Sequence, residues 1–199
     1  MARPVRGFHV KDSLLGWLPS DFESDRLMPI VQIAGNNPLT DGRQSPTALM
    51  IQRGMIRHLE HAGNAVLAEF PLANGRRADL LCLDRKGRFT LIEIKSSIED
   101  YKVDHKWPEY AGFCDYFAFA TWHGVPPEIF PQTEGLYVAD AHFAELLREP
   151  VEQAMHSASR KALTLRFARL AAQRAERIAR FAEANDLPFD RHAEGEATD

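Results

Sequence analysis

Asp79, Glu93 and Lys95 are the residues whose types and spacing point most directly to chemistry. They lie on two apolar segments, 77–83 and 88–95, joined by Asp84-Arg85-Lys86-Gly87. A three-residue loop over 85–87, with glycine in the left-handed position, is a common hairpin closure. That closure pairs Asp84 with Arg88, and further down the ladder 83 with 89, 81 with 91 and Asp79 with Glu93. The two carboxylates then stand opposite each other on one face, with Cβ atoms about 5 Å apart. Lys95, two residues beyond Glu93, points to the same face, while Ile92 and Ile94 point to the other, into a core.

Like charges opposed on a buried sheet destabilise it and push one pKa up, unless a cation lies between them. A hard divalent ion such as Mg²⁺ takes oxygen ligands and keeps several waters. An ammonium beside it orients an attacking water or faces a phosphate in the transition state. Metal-assisted phosphodiester hydrolysis needs these parts. The alternative is that Asp79 caps a turn and Glu93–Lys95 is a surface ion pair.

The rest of the chain has to position this set. It has 199 residues, a net charge of −4, and the hydrophobic and charged content of an ordinary globular domain with tails. Its apolar runs are a few residues long, far short of the about 20 that a transmembrane helix requires. The basic N-terminus has no apolar stretch behind it, so no signal peptide is expected. Two cysteines, Cys82 and Cys114, cannot build a disulfide framework or a zinc site, and both sit in apolar runs. The expected compartment is reducing and cytoplasmic. No Gly-rich phosphate loop is present, which argues against an ATP-driven function.

Prolines and glycines punctuate residues 1–45, which read as an irregular arm. Ser45 and Pro46 open a helix carrying Leu49, Gln52, Met55, Ile56 and Leu59. Strands are expected over 65–70, 77–83, 88–95, 116–121 and 135–140, and a helical stretch over 98–113 interrupted at Pro108. A long helix over 151–184 closes the domain, and 185–199 read as a polar tail. The order predicts an α/β domain with a mixed central sheet flanked by helices.

Charge is unevenly spread: residues 156–181 carry +6, leaving −10 elsewhere. On a helical projection Arg166, Arg169, Arg177 and Arg180 share one stripe, all within about 60° of Arg166. Leu163, Phe167, Leu170, Ile178 and Phe181 form a separate apolar stripe at about 40–120°. The helix can dock on the domain and present arginines to phosphates. The alternative is a merely solvated face.

Asp79 followed by Glu93-Ile94-Lys95 resembles the active-site signature of the PD-(D/E)xK nuclease superfamily, with Arg77-Ala78-Asp79 in place of its Pro-Asp. A longer run is more specific: Arg76-Arg77-Ala78-Asp79-Leu80, Glu93-Ile94-Lys95-Ser96-Ser97, Asp100-Tyr101, Asp104-His105-Lys106-Trp107-Pro108-Glu109-Tyr110, Cys114-Asp115, Phe130-Pro131 and Arg160-Lys161. It resembles the MmcB family of bacterial DNA repair proteins, over about residues 45–175. The resemblance implies a restriction-endonuclease-like core over 46–184, DNA as substrate and Mg²⁺ or Mn²⁺ as cofactor. Asp79 and Glu93 would bind the metal with the Ile94 carbonyl, and Lys95 would act on water or the transition state. The superfamily often adds an acid on the first helix. Glu60 is the acid found there, Glu69 on the first strand is a rival, and Gln52 a weaker one. RecB-like members carry Gln-x-x-x-Tyr on the helix after the signature, and here Lys106 and Tyr110 stand in those places. Asp100 and Asp104 are four apart on that helix, and Asp104 either pairs in the neighbourhood of Lys106 or faces water.

The expected function is a metal-dependent DNA endonuclease in DNA repair, with DNA and other repair proteins as partners and no membrane association. The alternative is a catalytically silent DNA-binding or scaffolding subunit of the same fold. An RNA-directed or transposon-related nuclease is a third reading.

Overall fold

The computed structural model describes residues 44–104 and 107–187. The expected arm and tail therefore lie almost wholly outside the described residues, as does Lys106. Helix α1 (Pro46–His61) starts where expected: Ser45 Oγ accepts the Ala48 N–H at 3.1 Å and proline occupies the first turn. Strands β1 (Ala65–Pro71), β2 (Arg77–Leu83) and β3 (Phe89–Ile94) form an antiparallel meander. The β2–β3 turn closes as the residue types require. Asp84 Oδ1 accepts the N–H groups of Lys86 and Arg88, both at 2.8 Å, and Gly87 takes φ +78°.

Helix α2 (Ile98–Val103) and a separate 3₁₀ turn (Trp107–Phe113) carry the chain to β4 (Tyr116–Thr121), parallel to β3. Pro108, which has no N–H to donate, falls inside the 3₁₀ turn rather than kinking one long helix. β5 (Gly135–Ala139) is parallel to β4, and β6 (Ala144–Arg148) is antiparallel to β5. The sheet is open, mixed and six-stranded, in the order β1-β2-β3-β4-β5-β6. β6 was not expected, because Ala-Glu-Leu-Leu-Arg is a helix-forming run whose pairing with β5 overrides its propensity.

Each face of the sheet carries a core. Ile51, Met55 and Leu59 of α1 pack on Leu80, Cys82, Ile92, Ile94, Ala118 and Ala120. Gly54 lets α1 cross the β5–β6 turn closely: a Cβ there would lie 2.0 Å from the Asp140 carbonyl. The other face is aromatic, with Phe70, Phe89, Tyr110, Phe117, Phe119 and Phe130 covered by Leu163 and Phe167 of α3 (Ser157–Ala184).

α3 begins six residues later than expected. Residues 151–156 form no helix, because their N–H groups turn to Asp115. Its carbonyl accepts the Gln153 N–H at 2.7 Å and its Oδ1 the Met155 N–H at 3.1 Å. The same carboxylate, 1% exposed, accepts the Phe89 N–H and a two-pronged Arg160 guanidinium. Asp115 thus ties the starts of β3 and β4 to α3. Burial acts to raise its pKa, but the Arg160 guanidinium and the two N–H donors outweigh it and hold the carboxyl below the ordinary range.

Asp115→Asn is expected to lower stability at neutral pH by about 2–3 kcal/mol, the loss of a charge-assisted pair on a buried group. Because the folded pKa is depressed, the wild-type advantage is full above about pH 4 and is lost as pH falls further. Urea titrations at pH 7 and pH 3.5 check both: the gap between the proteins should shrink at the lower pH.

Candidate functional site

The ladder between β2 and β3 stops short of the predicted rung. Leu83–Phe89, Leu81–Leu91 and Leu80–Ile92 pair as counted, but Asp79 and Glu93 do not form the next rung. The Asp79 Oδ2 instead accepts the Ile94 N–H at 2.7 Å, so a side chain replaces the backbone bond and the strands splay. On the other side the β1–β2 ladder also skips one level, between Ala68–Leu80 and Phe70–Ala78. The residue left there is Glu69, with φ +51°, a left-handed conformation that a non-glycine residue rarely takes. The in–out alternation reverses across both residues. Leu67 and Leu81 pack on the aromatic face and Ala68 and Leu80 on the α1 face, whereas Phe70 and Ala78 return to the aromatic face.

The fork opens into a cleft of about 580 Å³ lined by Asp79, Glu93, Ile94, Lys95, Asp100, Asp104, Tyr110, Arg76 and the first residues of α1. Glu93 and Lys95 are 7% and 3% exposed. The Lys95 ammonium donates to Glu93 Oε1 at 3.3 Å and to Asp104 Oδ2 at 2.5 Å. Asp104 thus meets Lys95, and Asp100 turns to the Ser96 N–H at 3.0 Å. Backbone at Lys95 and Ser96 is clamped by β4 and its continuation. The Lys95 N–H reaches Ala120, Thr121 Oγ1 donates to the Lys95 carbonyl, and Trp122 Nε1 to the Ser96 carbonyl.

Burial, reinforced by the Asp79 charge and offset in part by Lys95, pushes Glu93 up to about 9. Burial raises Asp79 to about 6 against the pull of the Ile94 N–H and Lys95. Burial also works to neutralise Lys95, but Glu93 and Asp104 hold it charged. Tyr110 is shifted upward, chiefly by burial and then by Glu93, so its hydroxyl stays protonated.

Glu93 Oε2 is buried and has no hydrogen-bond partner among the described residues. An orphaned carboxylate oxygen next to a second carboxylate suits a hard cation. Among the described residues no three histidine, cysteine or carboxylate side chains converge as a metal cage. One or two carboxylates completed by backbone oxygens and water is nonetheless the habit of Mg²⁺. Asp79 and Glu93 supply the carboxylates, and Ile94 lines the same space.

The other expected residues are placed as follows. Glu60 is exposed on α1, fourteen residues beyond Pro46 at the cleft end, a run of about 21 Å at the helical rise. The helix carries it away from Asp79 and Glu93. Gln52 is buried on α1, one turn beyond Ala48, which lines the cleft. Glu69 lies at the rim, accepting from Gln44 and paired with Arg77.

Arg166, Arg169, Arg177 and Arg180 are all exposed on α3, with Arg180 paired to Glu176 at 2.9 Å. The apolar stripe holds at Leu163 and Phe167, but farther along Ala179 and Ala182 are buried while Ile178 is 39% exposed. Arg174 was missed. It turns inward, and its guanidinium donates to the carbonyls of Ala68 and Glu69, holding the left-handed residue beside Asp79. The signal was available, since Arg174 projects at about 80°, in the middle of the apolar stripe.

Fold and site together define an α/β protein with an open mixed sheet and helices on both faces, forked at one end over a half-buried Asp79 and a buried Glu93–Lys95 pair. Comparison with known families narrows this. A model described as DNA repair protein MmcB-like matches residues 35–182, and the chain belongs to that family of DNA repair proteins. It is similar to a solved structure, the SPO1766 protein of unknown function from Silicibacter pomeroyi. The two are 34% identical over 78% of this chain and 99% of that one, with a TM-score of 0.66. No significant match was found among curated proteins. No helix among the described residues is long and apolar enough to cross a membrane.

Without divalent cations burial and the neighbouring Asp79 hold the Glu93 proton on the folded protein well above the ordinary carboxylate range, whereas the unfolded chain releases it near its ordinary value of 4.5. Folding therefore binds a proton between those limits, and stability falls as pH rises through them. Glu93→Gln removes this penalty. In EDTA it is expected to melt with wild type near pH 4 and a few degrees above it at pH 8, as read by calorimetry.

Proposed function

We propose that this chain is a metal-dependent DNA endonuclease acting in repair, of the PD-(D/E)xK class that its sequence resembles. The observation that carries the reading is Glu93 Oε2, a buried carboxylate oxygen with no donor among the described residues, in a cleft shared with Asp79 and Lys95. Buried polar atoms are rarely left unsatisfied without a functional reason. Asp79 and Glu93 would hold Mg²⁺ or Mn²⁺, with the Ile94 carbonyl as a third ligand. When bound, the cation supplies Lewis acidity toward the phosphodiester and acidifies a coordinated water.

The remaining work falls to the chain's own groups. Asp104 and, when ionised, Glu93 keep the Lys95 ammonium charged and fixed, so it faces the charge that develops on the phosphoryl oxygens without first having to be oriented. The Ile94 N–H orients the Asp79 carboxylate by holding one of its two oxygens. Tyr110, protonated and 5% exposed, closes the floor of the cleft against water. The exposed arginines Arg166, Arg169, Arg177 and Arg180 lie along α3, where they would hold the DNA backbone.

Asp79→Ala and Lys95→Met are each expected to reduce cleavage by about 10²–10³-fold, the scale of removing one electrostatic partner of the transition state. Their melting should stay cooperative. The check is labelled single-stranded, duplex and branched DNA with Mg²⁺, Mn²⁺ or EDTA. Metal-dependent products from wild type alone bear the reading out. DNA and metal binding without turnover on any substrate would replace it with the silent DNA-binding subunit.

Replacing all four exposed arginines by alanine should weaken DNA binding and flatten its salt dependence by about one logarithmic unit for each phosphate no longer neutralised. Anisotropy titrations at several salt concentrations measure this.

A further inference from the structure

A cleft lined by four acids, Asp79, Glu93, Asp100 and Asp104, is a poor host for a polyanion. Two cations line it among the described residues, Lys95 and Arg76. Lys95 is committed to Glu93 and Asp104 and is almost fully enclosed. Arg76 is different. It ends the β1–β2 turn, where its backbone is fixed: its carbonyl accepts the Leu72 N–H at 2.8 Å and its N–H reaches Asn74 Oδ1 at 3.0 Å.

Its side chain is 31% exposed, and it donates two parallel bonds, 3.0 and 2.8 Å long, to the Glu109 carboxylate. Glu109 sits on the 3₁₀ turn, is 51% exposed, and is not among the residues lining the cleft.

We propose that Arg76 takes hold of a DNA phosphate at the mouth of this cleft, and that the Glu109 carboxylate occupies the same guanidinium edge until DNA arrives. A planar guanidinium presents its two-pronged edge equally well to a carboxylate and to a phosphate. An ion pair this exposed contributes little net stability, so exchanging one anion for the other is inexpensive. The exchange leaves the fold in place, because the β1–β2 turn is held by its own backbone bonds. It also delivers the phosphate to the rim nearest Asp79, three residues along β2. The inference rests on reading the cleft as a DNA site, and it assigns Arg76 to binding rather than to bond cleavage.

The two partners must then have opposite effects. Full-length wild type, Arg76→Ala, Arg76→Lys, Glu109→Gln and the Arg76→Ala/Glu109→Gln double variant are titrated with labelled DNA in EDTA, where no cleavage interferes, at several salt concentrations. Arg76→Ala is expected to weaken binding about tenfold and to flatten the salt slope by about one unit. Arg76→Lys keeps the charge but loses the fork, and should fall between. Glu109→Gln is expected to tighten binding about threefold, the release of an exposed ion pair. The double variant should behave like Arg76→Ala. If Glu109→Gln weakens binding as Arg76→Ala does, the pair is a structural brace and the proposal is wrong. Unchanged affinity in Arg76→Ala overturns it too. Wild type that binds no DNA, in EDTA or with Mg²⁺, would sink the DNA reading of the cleft itself, a different result from wild type that binds while its variants match it.

Discussion

A carboxylate oxygen stands where a backbone hydrogen bond would otherwise continue the sheet. By accepting the Ile94 N–H, Asp79 ends the pairing of β2 with β3 after Leu80–Ile92 and satisfies the donor that the ending exposes. The layout of the site follows from that substitution. The strands part, space opens between them, and Glu93 and Lys95 enter it from the strand that pairs in parallel with β4. Opposite, Glu69 takes a left-handed backbone so that β1 can follow the same irregularity, and Arg174 secures its carbonyl from α3. A regular ladder would have closed this space.

The same region concentrates unfavourable electrostatics. Four carboxylates surround one ammonium, and two of them are displaced upward mainly by burial. Such crowding is tolerated because the neighbouring framework is over-determined. β4 and the residue that follows it fix the Lys95–Ser96 backbone at three atoms, and two cores pack the sheet on both faces. Strain held at a functional site by a rigid surround is a common division of labour in proteins.

Much of this was legible in the residues. The turn chemistry of Asp84 and Gly87 set the hairpin register without ambiguity, because both residue types act locally. Ser45-Pro46 marked the start of α1 for the same reason. What escaped was decided by partners distant in the chain. Residues 151–156 resemble a continuing helix until Asp115 draws their N–H groups outward, and β6 is a strand only beside β5. Asp79 was expected to sit squarely opposite Glu93. Pairing arithmetic counts backbone bonds, however, and cannot register a side chain that takes over one of them. On α3, Arg160 and Arg174 both project into the apolar stripe and both proved to be anchors, to Asp115 and to β1. A long charged side chain within an apolar stripe signals a buried acceptor on the surface it meets.

The anchoring of α3 also bears on how the chain assembles. The β1–β3 meander closes through near neighbours, whereas Arg160 meets Asp115 across 45 positions and Arg174 meets Glu69 across 105. Contacts of such sequence separation form late and slow the search. During synthesis the aromatic face of the sheet therefore emerges well before the helix that covers it. Until residues 157–184 arrive, Phe70 and Phe89 lack the Phe167 ring that packs on both. A nascent chain stalled between β6 and α3 would present a sticky, half-built sheet, of the kind that chaperones engage.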